Sequence, residues 1–286
     1  MPASPDAVST LQAWCDAADD QTTLDASRLD LSNADLSGSD LALATFFDAN
    51  LTGAKLVGAD LYRAQSADAV LDHADLTEAS LVKTDLRDTS MRSADLTRAN
   101  LGSAEFWQVD ARMASFRYST LDGSSLLNVA LEGADLTGAS VQNTTLDVTL
   151  DDGTVVVGLS GTVRGPAHLS ENGSTRELAG LELELWLNDR GANVQVLNSP
   201  PTATTYYARI NDEFPRAHPM GVVRRRRAGT VTRDEAFTRN LRWESTEYLR
   251  RYEMGSTDGE HVEISEEEAN RFISDVTGEL QAGSPN

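Results

Sequence analysis

The stretch ADLTEASLVKTDLRDTSMRSADLTRANL, residues 74–101, decides the fold because its large apolar residues recur at every fifth position. The rhythm continues outward on both sides of this stretch. From Leu31 to Leu146, 22 of the 24 residues taken at every fifth position are Leu, Phe, Met or Val, and only Ser66 and Ala111 differ. An α-helix repeats every 3.6 residues and a strand every two, so neither explains a period of five. The period indicates an internal repeat that stacks into a solenoid.

Two positions of restricted type precede each large apolar residue. The residue two before it is small, most often Ala, and the residue between them is commonly Asp or Asn, as in Ala94-Asp95-Leu96. These residues resemble the A(D/N)LXX motif of the pentapeptide-repeat family over residues 24–150. The resemblance implies a mainly β fold, a right-handed quadrilateral β-helix in which four pentapeptides close one coil. About six coils would then stack about 4.8 Å apart, with the large and small residues pointing inward.

The sequence predicts three segments: an N-terminal cap at 1–23, the β-helix at 24–150 and a C-terminal α+β domain at 151–286. An open solenoid end exposes unpaired strand edges, so both ends should be covered. A short capping helix is predicted near the N-terminus, where four apolar residues recur at helical spacing. These are Val8, Leu11, Trp14 and Cys15. Cys15, the only cysteine, is predicted to be a buried or half-buried small residue rather than a reactive thiol.

The C-terminal segment is interpreted as strands followed by helices. A tight turn at 151–153 would join two strands, and alternation of Leu with Glu and Trp over 181–187 predicts a strand that enters a hairpin at 188–191. Further strands are predicted at 206–210 and 221–227. Helices are predicted at 234–237, at 245–252, and from a capping box of Ser265 and Glu268 to about Leu280.

Two features of this segment could bear on function. Residues 206–280 resemble a small bacterial domain of unknown function, with Asp-Glu-Ala-Phe at 234–237 and Val-Glu-Ile-Ser-Glu-Glu-Glu-Ala at 262–269, which implies no activity. The run Arg224, Arg225, Arg226 and Arg227 could grip phosphates or an acidic partner. Alternate residues of a strand face opposite sides, so at most two would converge. A solvated edge strand, or contacts to an acidic solenoid, is the favoured interpretation of this run.

If residues twenty apart stand above one another, the outward positions form columns. One column carries Asp35, Asp75, Asp95 and Asp135, and a second stacks Asp48, Asp68 and Asp88. Large apolar residues stand beside the second column, where water is expected: Phe47, Trp107 and Leu127. Exposed apolar groups beside ordered acids indicate a partner-binding surface. The alternatives are a solvated acidic face, and a C-terminal domain that folds back over the apolar residues.

Charge and composition narrow the function classes. The formal net charge of −21 disfavours direct binding to nucleic acid or membranes and favours a protein partner with a basic or DNA-binding surface. The four histidines show no metal-ligand spacing, and no phosphate loop or nucleophile motif occurs, so we expect no catalytic, cofactor-binding or metal site and no enzyme activity. One cysteine and an N-terminus without a signal peptide predict a cytoplasmic protein.

The leading prediction is a noncatalytic protein-interaction scaffold, and self-association as a homodimer is left open. Some pentapeptide-repeat proteins mimic duplex DNA and occupy the DNA site of type II topoisomerases such as DNA gyrase, which can protect against topoisomerase poisons. Residues 24–150 carry 19 acidic and 9 basic residues, which resembles that design in part. The basic residues cluster in the middle coils and interrupt a uniform negative stripe, so DNA mimicry is the alternative. A third hypothesis is an enzyme housed in 155–286.

Overall fold

The computed structural model describes residues 4–17, 23–171, 173–197, 203–211, 213–228, 231–253 and 260–282. The chain forms two compact units, Met1–Asn198 and Ser199–Asn286. The first, called the solenoid unit below, contains the fivefold repeat, and the second, called the sheet unit, contains the arginine run.

A ladder that joins residues twenty apart holds the solenoid together. Parallel bridges connect the Asp or Asn position of each coil to the same position of the next coil, from Asp25 up to Ser160. The Leu36 N–H donates to the Lys55 carbonyl, and the Lys55 N–H donates to the Ala34 carbonyl, both at 2.8 Å. The step of twenty residues confirms the prediction that four pentapeptides close one coil.

A tight turn forms most corners of the coil. The carbonyl of the large residue accepts a hydrogen bond from the N–H three residues later, as from Ala34 to Leu31 at 3.0 Å. The residue before that alanine is left-handed, with φ of 55° at Asn33, as the third position of a type II turn requires. Most such corners carry a residue other than glycine, at a steric cost of roughly 1 kcal/mol each. The ladder on both sides of the turn therefore overrides the local backbone preference.

The lumen is apolar and closely packed. Most residues of both inward registers are buried, including the two exceptions to the large register, Ser66 and Ala111. Where Thr replaces Ala in the small register, its hydroxyl donates to a carbonyl of the preceding coil, as from Thr84 Oγ1 to the Leu61 carbonyl at 2.9 Å. The repeat thus tolerates a hydroxyl inside because a backbone acceptor lies within reach.

Regular strands form towards the C-terminal end of the solenoid. They are β1 (Glu105–Trp107), β2 (Ser125–Ala130), β3 (Thr144–Asp151) and β4 (Ser160–Arg164), paired in that order in parallel. Between β2 and β3 the register shifts by one residue, because Leu127 pairs with Asp147 but Val129 pairs with Val148. The fivefold motif, which the resemblance extends to residue 150, is therefore interrupted here, since β3 passes through this corner without a turn residue.

Helix α1 (Pro5–Asp16) covers the N-terminal end, as predicted. Ala7 is buried, and Leu11 and Trp14 pack against the solenoid core. Cys15 is exposed, so the prediction that it is buried is wrong. The packed stripe runs through Ala7, Leu11 and Trp14, which leaves the position after Trp14 on the solvent side of the helix.

The solenoid unit continues well beyond residue 150. Its further elements are the antiparallel hairpin of β5 (Ala167–Glu171) and β6 (Ser174–Leu178), then α2 (Leu181–Asp189) and β7 (Asn193–Val196). Strand β5 pairs with β3, and β7 pairs with β4. The side chain of Asn188 pairs with the backbone of Val194, because the Val194 N–H donates to Asn188 Oδ1 at 2.9 Å and Asn188 Nδ2 donates to the Val194 carbonyl at 3.0 Å. A side chain of α2 thereby satisfies both backbone hydrogen-bonding groups of Val194 in β7.

The structure differs from the sequence interpretation of this stretch in three places. The first unit extends to Asn198, whereas the sequence interpretation placed the boundary at 150. The predicted strand at 181–187 is helix α2, because Leu183, Trp186 and Leu187 form a helical stripe that is buried in the solenoid core. Residues 188–191 end this helix and form no hairpin, whereas the predicted tight turn at 151–153 is present as a coil corner after β3.

The sheet unit is an antiparallel sheet covered by two helices. The strand order is β11-β10-β9-β8-β12. The strands are β8 (Ala203–Ile210), β9 (Gly221–Ala228), β10 (Val231–Phe237), β11 (Trp243–Ser245) and β12 (Glu260–Ile264), and the helices are α3 (Tyr248–Glu253) and α4 (Glu266–Ala282). Ala208, Val222, Ile264 and Ala269 form its buried apolar cluster. A C-terminal α+β region is therefore present, as predicted.

The local predictions in the sheet unit succeed in part. Strands at 206–210 and 221–227 are confirmed as parts of β8 and β9. The capping box is confirmed, because the Glu268 N–H donates to Ser265 Oγ at 3.1 Å and the Ser265 N–H donates to Glu268 Oε2 at 2.8 Å. The helix predicted to open at 234–237 is wrong, since these residues belong to β10 and pair with β9.

Candidate functional site

Two large apolar side chains stand side by side on one outward side of the solenoid. This side, residues 105–108 with the equivalent positions of the neighbouring coils, is called the Trp107 face below. Trp107 is 46% exposed and Leu127 is 37% exposed, and they are register partners on β1 and β2. The next position of the column is Asp147, whose Oδ1 lies 2.9 Å from His168 Nε2. The structure thus brings Trp107 and Leu127 together on a sheet fixed by its ladder.

Phe47 stands apart from this pair. It is 37% exposed and belongs to the same column, but Ala67 and Arg87 lie between it and Trp107. Three coil steps of about 4.8 Å separate Phe47 from Trp107 by about 14 Å. The three apolar residues that the sequence grouped therefore divide into one close pair and one distant residue.

The acidic column of the same face lies at the coil corners. Asp48, Asp68 and Asp88 are exposed and left-handed, with φ of 57°, 61° and 56°. Arg28 Nε lies 3.6 Å from Asp48 Oδ2, and both side chains are largely in solvent. Such an exposed pair contributes little to stability. Asp68 and Asp88 are the members of this column nearest to the Trp107 pair.

The second acidic column has a structural task. An Oδ1 atom accepts a hydrogen bond from the backbone N–H two residues later, at 3.2 Å in Asp35, 3.1 Å in Asp75, and 2.9 Å in Asp95 and Asp135. The hydrogen bonds from Ser37 lower the pKa of Asp35 below its usual range. Aspartate thus recurs in this column because each turn offers an N–H that its carboxylate can accept, and partner binding by these four residues stays a prediction.

Arginines pair with acids in the middle coils. Arg92 and Arg112 each place a guanidinium nitrogen 2.6 Å from Asp110 Oδ2, and Arg117 lies 2.6 Å from Asp135 Oδ2. Burial disfavours the charged form of Asp110, but the hydrogen bonds from both arginines outweigh it and lower the pKa of this carboxyl. The outward surface of these coils is therefore a mosaic of ion pairs rather than a continuous negative stripe.

The arginine run lies within the sheet and not at its edge. Strand β9 has β8 on one side and β10 on the other, so the interpretation as an edge strand is wrong. Arg225 is buried and makes a bidentate ion pair with Asp234 at 2.6 and 2.7 Å. Arg224 donates to Glu235 at 2.7 Å and stacks 4.3 Å from the Trp243 ring. Arg226 faces Arg233 across the sheet and Arg227 is exposed.

A second exposed apolar surface was not predicted from the sequence. Met113 is 66% exposed, Tyr118 is 55%, Val155 is 39% and Val157 is 54%. All four occupy outward positions of the same side of the coil, residues 113–118 and the equivalents two coils later, which is called the Tyr118 face below. The twenty-residue map could have found them, since each is a large apolar residue at a position that normally meets water.

An open groove in the sheet unit bears on the enzyme hypothesis. It has a volume of about 1000 Å³ and lies between the loop that contains Phe214 and helix α4, with Phe272 and Val276 on its wall. Arg216 and Glu268 at its rim are joined by two hydrogen bonds of 3.0 and 2.9 Å. The hydrogen bonds from Arg216 are the main cause that lowers the pKa of Glu268 to about 2. Arg216 and Glu268 thus form an ion pair at this rim, and Glu268 also caps the start of α4.

Two kinds of feature are absent from the described residues. In the described part of the chain, His, Cys, Asp and Glu form no group of three or more that could hold a metal ion. Among the described helices, none is both long and apolar enough to cross a membrane.

Comparisons with known proteins bear on the repeat. The family model for pentapeptide repeats matches in 8 copies over residues 27–64, 68–108 and 114–147. No curated protein matches the chain. The match ends at residue 147, so the resemblance of residues 206–280 to a domain of unknown function stays a prediction.

Solved structures of several repeat proteins are similar to this chain. HetL, a pentapeptide repeat protein involved in heterocyst differentiation regulation from the cyanobacterium Nostoc sp. strain PCC 7120, is 24% identical over 56% of this chain and 89% of its own, with a TM-score of 0.32. Full-length QnrB1, a plasmid-mediated fluoroquinolone resistance protein, is 17% identical over 58% of this chain and 81% of its own, with a TM-score of 0.27. A pentapeptide repeat protein from the Arabidopsis thaliana thylakoid lumen is 28% identical over 42% of this chain and 70% of its own, with a TM-score of 0.16.

The family assignment rests on the family model together with the ladder of twenty residues. Both observations describe the same segment of the solenoid unit. The chain therefore contains pentapeptide repeats at residues 27–64, 68–108 and 114–147.

Proposed function

We propose that this chain is a noncatalytic protein-interaction scaffold whose partner docks on the Trp107 face. The observation that carries the proposal is the adjacent exposure of Trp107 and Leu127 on paired strands. Tryptophan is enriched among the residues that contribute most to protein interfaces, and it binds best when neighbouring groups exclude water from it. Leu127 is placed to do this on one side.

Rigidity supports the same function. Each coil is tied to the next by backbone hydrogen bonds, so the two side chains project from a backbone that is already ordered. A preformed surface loses little conformational entropy when a partner binds, and more of the contact energy remains as affinity. The closely packed lumen adds to this rigidity because it leaves the coils no room to rearrange.

Charge favours one class of partner. Residues 24–150 carry 19 acidic and 9 basic residues, and Asp68 and Asp88 stand beside the Trp107 face. A partner with an apolar residue flanked by Lys or Arg would bury Trp107 and meet these carboxylates at the rim. The rim charges would chiefly raise the association rate, which then falls as salt increases.

Affinity capture from the native cell tests the proposal, with the full chain as bait and mass spectrometry as the readout. Trp107→Ser should weaken capture of the partner by roughly 30-fold, the effect of losing an aromatic anchor that contributes about 2 kcal/mol. Phe47→Ser is the matched control, because Phe47 is as exposed as Leu127 but lies about three coils away. Capture that is unchanged by Trp107→Ser would remove this face from consideration. Equal loss in both variants would enlarge the site to the whole column.

The second candidate is modulation of a type II topoisomerase by DNA mimicry. The acidic excess of the rod and the three corner carboxylates Asp48, Asp68 and Asp88 favour it, and the arginine pairs of the middle coils oppose it. A DNA gyrase supercoiling assay with the purified chain distinguishes the candidates. Inhibition, or protection against a topoisomerase poison, at micromolar chain would support mimicry. No effect at that concentration would dismiss it.

A further inference from the structure

The Tyr118 face is more apolar than a solenoid surface should be. In three successive coils its outward side carries Met113, Tyr118, Val155 and Val157, all exposed. Water normally contacts these positions, and earlier coils place small or polar residues there, with Val57 as the exception. Contiguous exposed apolar side chains of this kind mark an interaction site more often than chance exposure does.

The charge of this face restricts what can bind it. Within residues 113–118, 133–138 and 153–158 the charged side chains are Arg117 and Asp135, and they form an ion pair at 2.6 Å. Asp151 adds one negative charge at a corner of this face, where its Oδ1 accepts from the Gly133 N–H at 2.9 Å. The face therefore carries a net charge of −1, although the whole chain carries −21. A basic partner would gain more on the more acidic sides of the rod. A second strongly acidic chain, in contrast, meets little repulsion here.

The positions of large and small residues on the Tyr118 face would match between two copies of the chain. Tyr118 and Met113 protrude at the corners of the first of the three coils, and glycines occupy the same corners of the third coil. The Tyr118 ring already lies over the next glycine of its column, Gly138, where an added Cβ would lie 2.6 Å from the ring. Gly158, one coil further, has only the Cα and backbone nitrogen of Gly138 near that point, at 3.6 Å, and is open to a ring from outside.

We propose that the Tyr118 face is the contact between two copies of this chain, related by a two-fold axis that lies in the interface and crosses the coil of residues 133–138. Such an axis makes the two rods antiparallel. It places Tyr118 of one copy against Gly158 of the other, and Met113 against Gly153. Each large residue then meets a glycine, and the contact is the same in both directions, as a closed two-fold dimer requires.

This proposal is independent of the function proposed above. The four sides of a coil follow one another along the chain, so the side of residues 113–118 is opposite the side of residues 105–108. Association through the Tyr118 face leaves both Trp107 faces open and pointing away from each other. A dimer would thus be bivalent, and loss of the dimer would leave the site for the partner intact.

Sedimentation equilibrium of the full chain tests the association. We expect a dimer at micromolar concentration that becomes monomeric in Val157→Lys, because a lysine would be buried against an apolar surface. Tyr118→Asn should weaken the dimer without backbone strain, since Asn tolerates the left-handed conformation at this corner. Trp107→Ser is the matched control on the opposite side and should stay dimeric. A wild type that is monomeric at every concentration, or a dimer unaffected by both variants, would overturn the proposal.

Disulfide trapping tests the geometry. Thr137 lies on the coil that the axis crosses, so Thr137→Cys in a Cys15→Ser background should cross-link two copies under mild oxidation. Thr97→Cys is the matched control, because Thr97 occupies the same column two coils earlier and would be far from its own symmetry mate. Circular dichroism confirms that both variants fold. Cross-linking of Thr97→Cys but not of Thr137→Cys would exclude this axis.

Discussion

The two units of this protein use their carboxylates in opposite ways. In the solenoid unit the recurring aspartates stand outside the core and accept a hydrogen bond from a backbone N–H two residues later. In the sheet unit Asp234 and Glu235 are largely buried and pair with arginines of the neighbouring strand. The lumen of the solenoid is apolar, whereas the centre of the sheet contains ion pairs.

The difference shows how far each unit depends on distant partners. The recurring hydrogen bond of a solenoid aspartate lies within its own turn, so this part of its role can be deduced from five residues of sequence. Asp234 depends on Arg225, and only the pairing of β10 with β9 brings them together. The fold tolerates the burial of both charges because their ion pair is bidentate. Burial of either charge alone would be costly.

The largest expected effect comes from breaking the buried pair. Asp234→Ala should destabilise the sheet unit by about 3–5 kcal/mol, because the Arg225 guanidinium stays buried without its bidentate partner. Hydrogen exchange measured by mass spectrometry should show faster exchange in β9 and β10 and no change in the solenoid. The double variant with Arg225→Met and Asp234→Leu should recover most of the loss. A single variant as stable as the wild type would show that this pair does not hold the sheet.

A smaller effect is expected from the same change in the solenoid. Asp95→Ala removes the acceptor for the Thr97 N–H and should cost about 1 kcal/mol in the free energy of unfolding of this unit. Asp95→Asn keeps an acceptor at the same place and should be close to neutral. Denaturant unfolding followed by circular dichroism provides the comparison. A loss of stability as large as that expected for Asp234→Ala would contradict the proposed difference between the carboxylates of the two units.

The smallest effect concerns the exposed pair of Arg216 and Glu268. The pKa of Glu268 is lowered from about 4.5 to about 2, so its charged form stabilises the folded sheet unit at neutral pH, and this contribution is lost as the pH falls towards 2. Wild type should therefore be slightly more stable than Glu268→Gln at neutral pH. The difference in thermal midpoint should shrink as the pH falls from about 5 to about 3. A difference that is independent of pH would show that the carboxylate charge plays no part.

Sequence reasoning succeeded where structure is local and repeated. The inward registers and the capping helix at the N-terminus follow from spacing, and the four motifs per coil follow from the resemblance to the pentapeptide-repeat family. It failed at 181–187, where alternating Leu and Glu fit a strand but the solenoid end offered Leu183 and Leu187 a surface for a helical stripe. It failed again at 234–237, because acidic residues typical of a helix start were there to pair with arginines. Of the three apolar residues that the sequence grouped, Trp107 and Leu127 are neighbours, whereas Phe47 lies three coils from Trp107. Partner binding by these residues stays a prediction.

The sequence by itself determined the coil of this protein, because a period of five dictates which side chains enter a lumen that only small and large apolar groups can fill. The tertiary structure decided where the solenoid unit ends and which strands surround the arginine run. These features depend on contacts between residues far apart in the chain, and no local spacing encodes them.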